Sequence, residues 1–261
     1  MQIVVLTKPV PDTTGQERLG PDDRLDRAAV PAVVNANDEY ALEAALRLVE
    51  GSSDGGEITV LAMAGPGAQD TLRKSLAMGA TRSVLVTDPA LGGSCVRSTV
   101  AVLAAALDGL SFDLVIAGAD TSDGGGGVVA AGIATRLGLP YLSYAAGLEV
   151  DDGRVRVRRI SAVGYDVIEA PLPALVVATQ ALGEPRYPSL KGIMGARSKE
   201  VVVRSLADLG VDAATVGGAA ATTRVVGSVT PPARGATRVV RGPAAEAART
   251  VVDFLVERRI V

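Results

Sequence analysis

Asp113-Leu114-Val115-Ile116-Ala117 runs directly into Gly118-Ala119-Asp120-Thr121-Ser122-Asp123-Gly124-Gly125-Gly126-Gly127. Behind the glycines, Val129, Ile133 and Leu137 recur at helical spacing until Gly138 and Pro140. A short apolar run bounded by turn residues reads as a strand buried on both faces. Glycine just past the last periodic residue, with proline beyond it, is a helix stop. Strand, glycine loop and helix in succession place backbone N–H groups and a helix N-terminus around one point, a concavity that fits a phosphate. The glycines of this loop, Gly118 and Gly124 to Gly127, allow close main-chain approach. Thr121, Ser122 and Asp123 add hydroxyl and carboxylate contacts to phosphate, ribose or backbone. A merely flexible loop is the competing reading. The loop matches neither G-x-G-x-x-G nor a Walker lysine motif.

The same grammar extends outward. Gln2–Leu6, Glu57–Met63 and Ser83–Val86 are further apolar runs. Helical stripes lie between them: Leu42, Leu46 and Val49; Leu72 and Leu76; Val96, Val100, Leu103 and Leu107. Asn37 is the expected N-cap of the first stripe, with Asp38 and Glu39 in its first turn. Strand and helix alternating over residues 1–139 predict an α/β fold with a parallel sheet and right-handed crossovers. Its ligand crevice should lie at the carboxyl ends of the strands. Lys8-Pro9-Val10-Pro11-Asp12 and Asn35-Ala36-Asn37-Asp38 should border that crevice, where the asparagines serve a nucleotide or simply cap and turn the chain.

From Leu142 the texture changes. Leu148–Val150, the turn Asp151-Asp152-Gly153 and Val155–Ile160 read as a small β-hairpin, followed by a buried strand at Ala174–Ala178. Past about Leu209, residues 210–261 read as an arm: an Ala/Gly/Thr/Val tract with Pro231-Pro232, then an amphipathic helix whose Ala244, Ala247, Ala248, Val251, Val252 and Leu255 share one face. That helix docks either on another chain or back on its own domain.

Composition excludes several function classes. The 26 Lys and Arg against 29 Asp and Glu lack the positive field that nucleic-acid binders need. No apolar run approaches the roughly 20 residues of a membrane span, and the opening residues enter a strand without a basic leader, so a cytoplasmic protein is expected. With no His and only Cys95, there is no imidazole base, Cys/His zinc cluster or intrachain disulfide. Aromatic residues are 3% and Trp is absent, so a small-aliphatic core is expected. Glu184-Pro185-Arg186-Tyr187-Pro188-Ser189-Leu190-Lys191-Gly192-Ile193-Met194 mixes apolar, aromatic and basic residues between prolines. It is either a surface anchor or a short helix packed on the core.

Taken together, Ile3 to Asp12, the helix entry over Asn35–Ala45, Ala77-Met78-Gly79-Ala80, and Glu184 to Tyr187 with Leu190, Ile193, Met194 and Ala196 resemble the beta subunit of electron transfer flavoproteins, including the nitrogen-fixation-associated type. The resemblance covers about residues 1–209, and the Glu-Pro-Arg-Tyr segment is its most specific part. It implies an adenine-nucleotide-hydrolase-like (Rossmann-like) domain over 1–209 that includes a recognition loop at 184–199, with the arm 210–261 packing on the partner. It further implies a heterodimer with an alpha subunit that holds most of an FAD, and a structural AMP in this chain.

Carried over by residue, the AMP contacts implied are Leu6, Asn35, Ala36, Asn37, Asp38 and Ala64. The loop adds Gly118, Thr121, Ser122, Asp123, Gly124, Gly125, Gly126, Gly127, Val128 and Val129. Leu190 is implied as the anchor entering a client flavin dehydrogenase, with Glu184, Arg186, Tyr187, Ile193 and Met194 around it. Asp166 is implied to face the flavin domain of the alpha subunit. The resulting function is that of an electron carrier and not an enzyme. It would take electrons from dehydrogenases such as those for acyl-CoA in fatty acid β-oxidation and pass them to the respiratory chain.

Three alternatives stay open beside it: a carrier dedicated to one dehydrogenase system, a subunit with a second FAD or an empty site, and an ATP-binding stress-type sensor of the same fold. ATP-hydrolysing relatives of that fold place a Ser-Gly-Gly loop where this chain has Lys8-Pro9-Val10-Pro11, which disfavours hydrolysis.

Overall fold

The computed structural model describes residues 1–15, 18–229, 231–232, 235 and 237–261. Parts of the tract within the expected arm, at 230, 233, 234 and 236, therefore lie outside the described residues. The chain divides into two units, Met1–Val225 and Val226–Val261. The change of texture near Leu209 does not coincide with that division, because Leu206 and Val216 are buried in the first unit's core.

Strand β1 (Gln2–Leu6), β4 (Glu57–Met63), β5 (Arg82–Val86), β6 (Leu114–Gly118), β10 (Ala174–Ala178) and β11 (Val201–Arg204) join β7 (Tyr141–Asp151), β8 (Arg154–Ser161) and β9 (Gly164–Pro171) in one sheet. Its nine strands follow the order β11-β5-β4-β1-β6-β10-β7-β8-β9. Neighbours from β11 to β7 pair in parallel, and β7-β8-β9 pair antiparallel. A separate ribbon pairs β2 (Pro9–Pro11) with β3 (Ala32–Val34). The α/β fold with a hairpin extension is thus present, Rossmann-like in layout.

The alternation of β1 shows why the strands read as unbroken apolar runs. Ile3 and Val5 enter one core cluster, with Leu42, Leu46, Leu72 and Leu76 of helices α1 (Ala36–Gly51) and α2 (Ala68–Met78). Val4 and Leu6 enter the other, with Val102, Leu107 and Ile133 of α3 (Val96–Asp108) and α4 (Val129–Leu137). Helices cover both faces, so the side chains from Ile3 to Leu6 are removed from water and each contributes roughly 1.5–3 kcal/mol. The first crossovers carry the chain from β1 to β4 and β5 on one side, and β6 then returns to the other side of β1. The carboxyl ends of β1 and β6 therefore flank a topological switch point, the position where open α/β sheets hold ligands.

Several expectations shift in detail. The N-cap of α1 is Asn35, not Asn37, and its side chain makes no cap hydrogen bond. The hairpin turn falls at Asp152 and Gly153, both with positive φ (46° and 70°), which suits a right-handed twist. On β8, Val155 and Val157 are buried while Arg154, Arg156 and Arg158 face out. Strand β9 was not expected from sequence. Its outward Tyr165 and Val167 are as apolar as its inward Ile168 and Ala170, so in and out carry no contrast. In the second unit, α6 (Ala244–Glu257) is the expected terminal helix, with Pro243 as its N-cap residue.

Gly118 ends β6 where α1 begins. A Cβ there would lie 2.4 Å from Asp38 Oδ1 and 2.7 Å from the Asn37 carbonyl carbon. Gly118→Ala is expected to destabilise the protein by about 1–3 kcal/mol in urea unfolding, since backbone would have to move. Gly51→Ala, with nothing within 4 Å of its Cβ, should be neutral or stabilising within about 1 kcal/mol.

Candidate functional site

Four segments remote in sequence converge at the switch point: the end of β1, the start of α1, the end of β6 and the glycine loop. Leu6 closes β1 with its side chain in the core, so only its backbone can face the crevice. Beyond it, the Lys8 amide donates to Asp38 Oδ2 (2.8 Å), and the Asn35 amide donates to the Lys8 carbonyl (3.0 Å). Asn35 is 1% exposed. Its Nδ2 donates to Asp120 O (2.8 Å), and its Oδ1 accepts from the Ser122 amide (3.3 Å). Asn37 Nδ2 adds a bond to Asp120 Oδ1 (2.6 Å). The asparagines thus tie α1 to the loop after β6, which explains why neither acts as a side-chain cap.

Asp123 anchors that loop. Its carboxylate is buried and accepts from Lys8 Nζ (2.8 Å) and Arg27 Nε (2.7 Å). Burial pushes its carboxyl up, but the bonds from Lys8 and Arg27 outweigh this and hold it below its ordinary value. Asp38 behaves oppositely. Burial raises it from 3.8 to about 7, against the hydrogen bonds from Asn35 and the Lys8 amide. Arg27 was not expected from the sequence. It lies in a turn, and only its bond across 96 positions to Asp123 reveals it.

The glycine loop itself turns back once, the Gly125 amide donating to Thr121 O (2.8 Å). Gly125 and Gly127 take positive φ (53° and 61°). Among the described residues, the amides of Gly126, Gly127 and Val128 have no protein acceptor, and α4 has no side-chain N-cap. Free amides, an uncapped helix start and nearby Lys8 and Arg27 suit an anionic group such as a nucleotide phosphate. Thr7 Oγ1, at the end of β1, is buried without a hydrogen-bond partner among the described residues. Ala64 follows β4 with its amide bonded to Val86 O, and Val128 and Val129 stand at the start of α4. No hydrogen bond ties these three side by side with the others. Two surface concavities of about 610 and 600 Å3 lie elsewhere, between α3 and α4 and at the amino ends of the strands. The crevice is marked by its donors.

The segment after β10 forms a second constellation. Helix α5 (Leu190–Ala196) is capped by Ser189, whose Oγ accepts from the Gly192 amide (3.0 Å). It lies so close to α2 that a Cβ on Gly192 would stand 2.2 Å from Ala77 O. Arg73 reaches the Ala196 carbonyl (2.9 Å), and Lys199 Nζ donates to Ala80 O (2.6 Å). Ala196 alone of its apolar side chains enters the core; Leu190 is 80% exposed and Met194 70%, Ile193 is exposed too, and Tyr187 just ahead of the helix is 95% exposed. Glu184 is exposed, whereas Arg186 turns inward onto Glu43 and Glu50 of α1. Asp166, on the edge strand β9, pairs with Arg159 (2.7 Å).

Comparison with known proteins gives consistent similarities. The family model of the electron transfer flavoprotein domain matches residues 24–209. Over 262 residues, the chain is 38% identical to the electron transfer flavoprotein subunit beta of Clostridium acetobutylicum, covering 100% of both chains. It is 40% identical over 264 residues to the subunit of the same name from Mycobacterium tuberculosis, covering 99% of each. It is also 36% identical over 263 residues to the caffeyl-CoA reductase-Etf complex subunit CarD of Acetobacterium woodii, covering 100% of each.

The two carboxylates of the crevice predict opposite pH effects. The folded state holds a proton on Asp38 between 3.8 and about 7, so this group's contribution to stability falls as pH rises through that window. Asp123, held low, contributes stability above the ordinary carboxylate range and loses it only as pH falls through its folded value. Asp38→Asn should therefore gain stability over the unmodified protein between pH 5 and 8, on the order of 2 kcal/mol. Urea unfolding across that range checks this, and a pH-independent difference would contradict it.

Proposed function

Because the chain belongs to the electron transfer flavoprotein family as a beta subunit, we propose that it is one half of a cytoplasmic heterodimeric carrier that binds AMP at the switch point and presents residues 184–199 to client flavin dehydrogenases. The exposed Leu190, Tyr187 and Met194 on a backbone held at both ends carry this reading. Apolar side chains fixed in an outward pose are what a docking anchor requires, since ordering costs have been met before the partner arrives. Ile193 lies beside this anchor set, and Glu184 and Arg186 hold the segment.

AMP suits the crevice residues: the free amides at 126–128 with Lys8 and Arg27 would take the phosphate, and Asn35, Ala36, Asn37, Leu6 and Ala64 would border the nucleoside. FAD, held mainly by the alpha subunit, supplies the redox chemistry. Electrons would enter from dehydrogenases of the acyl-CoA class and leave toward the respiratory chain. This chain's own residues bind, orient and recognise, and Asp166 would face the flavin-bearing part of the alpha subunit. The arm would pack on that subunit. The Acetobacterium woodii relative, named as a subunit of a caffeyl-CoA reductase complex, supports a narrower reading in which the carrier serves one dedicated dehydrogenase.

Co-expression with the alpha subunit should yield a yellow one-to-one heterodimer from which mass spectrometry identifies FAD and AMP. A colourless homo-oligomer releasing ATP would overturn the carrier reading in favour of a nucleotide sensor. Leu190→Ala should raise the KM for a client dehydrogenase by about 30-fold, matching a hot spot of about 2 kcal/mol, with kcat unchanged. Steady-state reduction of the heterodimer measures both constants.

A further inference from the structure

The segment that carries Leu190 rests on helix α1 through one buried carboxylate. Glu43 lies between Leu42 and Ala44 on a buried stretch of the helix and is itself 4% exposed. An ionised carboxylate there is costly unless hydrogen bonds satisfy it, and a well-packed apolar residue is often at least as stable. Glu43 is satisfied almost entirely by arginines. It accepts from Arg47 Nε (2.8 Å), from Arg186 Nε (2.8 Å) and Nη2 (3.1 Å), and from the Arg186 amide (3.1 Å). Burial pushes its carboxyl up, yet the bonds from Arg186 and Arg47 prevail and keep it below the usual range.

Both arginines pass the constraint on. Arg186 also forks onto Glu50 about two turns further along α1, with Nη2 at 2.9 Å from Oε2. Arg47 donates to the Leu182 carbonyl (3.0 Å) and the Glu184 carbonyl (3.1 Å). Between these carbonyls Gly183 has φ +114°, and a Cβ there would meet Arg47 Nη1 at 2.5 Å. The main chain from Leu182 to Arg186 is therefore tied to α1, and directly after the last tie come the fully outward Tyr187 and then Leu190. These ties are polar. Their effect falls on the pose of the segment.

We propose that Glu43 is the positioning residue of the docking segment: through Arg186 and Arg47 it holds residues 182–190 in the conformation that the client dehydrogenase binds. The inference rests on the client-docking reading of that segment given above. Removing the hold leaves the docking residues in place but makes each encounter meet the cost of ordering them.

The test uses the flavin-loaded heterodimer carrying Glu43→Gln, an acyl-CoA dehydrogenase supplied with its acyl-CoA as the reductant, and amide hydrogen exchange. Exchange over 182–190 should accelerate by about tenfold or more, while exchange over 118–129 and the bound nucleotide content stay unchanged. The KM for the dehydrogenase should rise about tenfold at constant kcat. In a Leu190→Ala background the same substitution should add little, because both act through one contact. Arg186→Lys, which cannot fork, should reproduce the Glu43→Gln pattern.

Unchanged exchange over 182–190, or a KM rise of full size in the Leu190→Ala background, would overturn the assignment. Should Glu43→Gln fail to fold, Arg47→Gln removes the ties to Leu182 and Glu184 from a half-exposed side chain, and the same outcomes decide. A KM indifferent to Leu190→Ala would instead overturn the client-docking reading, and the exchange measurement would still decide what Glu43 does.

Discussion

The first turn of α1 lies directly against Gly118 at the end of β6, and most of what is distinctive in this molecule follows from that contact. Gly118 makes room for Asn37 and Asp38. Once they are seated, Asn35 reaches Asp120 and Ser122, and Asp38 receives the Lys8 amide. The loops after β1 and β6 are thereby locked to one helix start, and the glycine loop acquires a fixed wall. The burial that makes this contact close also leaves Asp38 as the crevice's poorly solvated carboxylate, the opposite of Asp123, whose two cations compensate its own burial.

Much of this fold is legible in the sequence because parallel strands buried on both faces cannot hide their composition. Gln2–Leu6, Glu57–Met63 and Ala174–Ala178 could not be read otherwise. The hairpin turn declares itself equally, since Asp152-Gly153 fits a twist that few other pairs allow. What escapes is long-range or lacks contrast. Asn37 is the better cap by local spacing, yet Asn35 takes the cap position because tertiary bonds to Asp120 and Ser122 outweigh local capping. Arg27 meets Asp123 only after folding. Strand β9 presents apolar residues on both sides, and Glu43 looks like one more solvated charge on a helix until its arginines are in place. A glutamate flanked by Leu42 and Ala44, inside the stripe that continues to Leu46, was the available signal.

The two constellations differ in the kind of order they impose. At the switch point, order comes from hydrogen bonds between backbone and short polar side chains, which leave a few amides over for a ligand. In the 182–199 segment it comes from long cationic side chains gripping carbonyls and carboxylates: Arg47 and Arg186 at one end, Arg73 and Lys199 at the other. The second arrangement lets a short stretch with little buried surface of its own hold large apolar side chains in water without collapsing onto the core.

Helix α1 serves both constellations, its first turn at the crevice and its later turns under the 182–199 segment. Such a helix can tolerate replacement of its residues far better than a change in their number. One residue inserted between Asp38 and Glu43 would swing the carboxylate about 100° round the axis and about 1.5 Å along it, away from Arg186, with the crevice end still pinned by Gly118. Length variation among descendants of this sequence should therefore collect in the turn at 52–55 and bypass the helix, so that the distance from the crevice to the 182–199 segment is inherited as a fixed ruler.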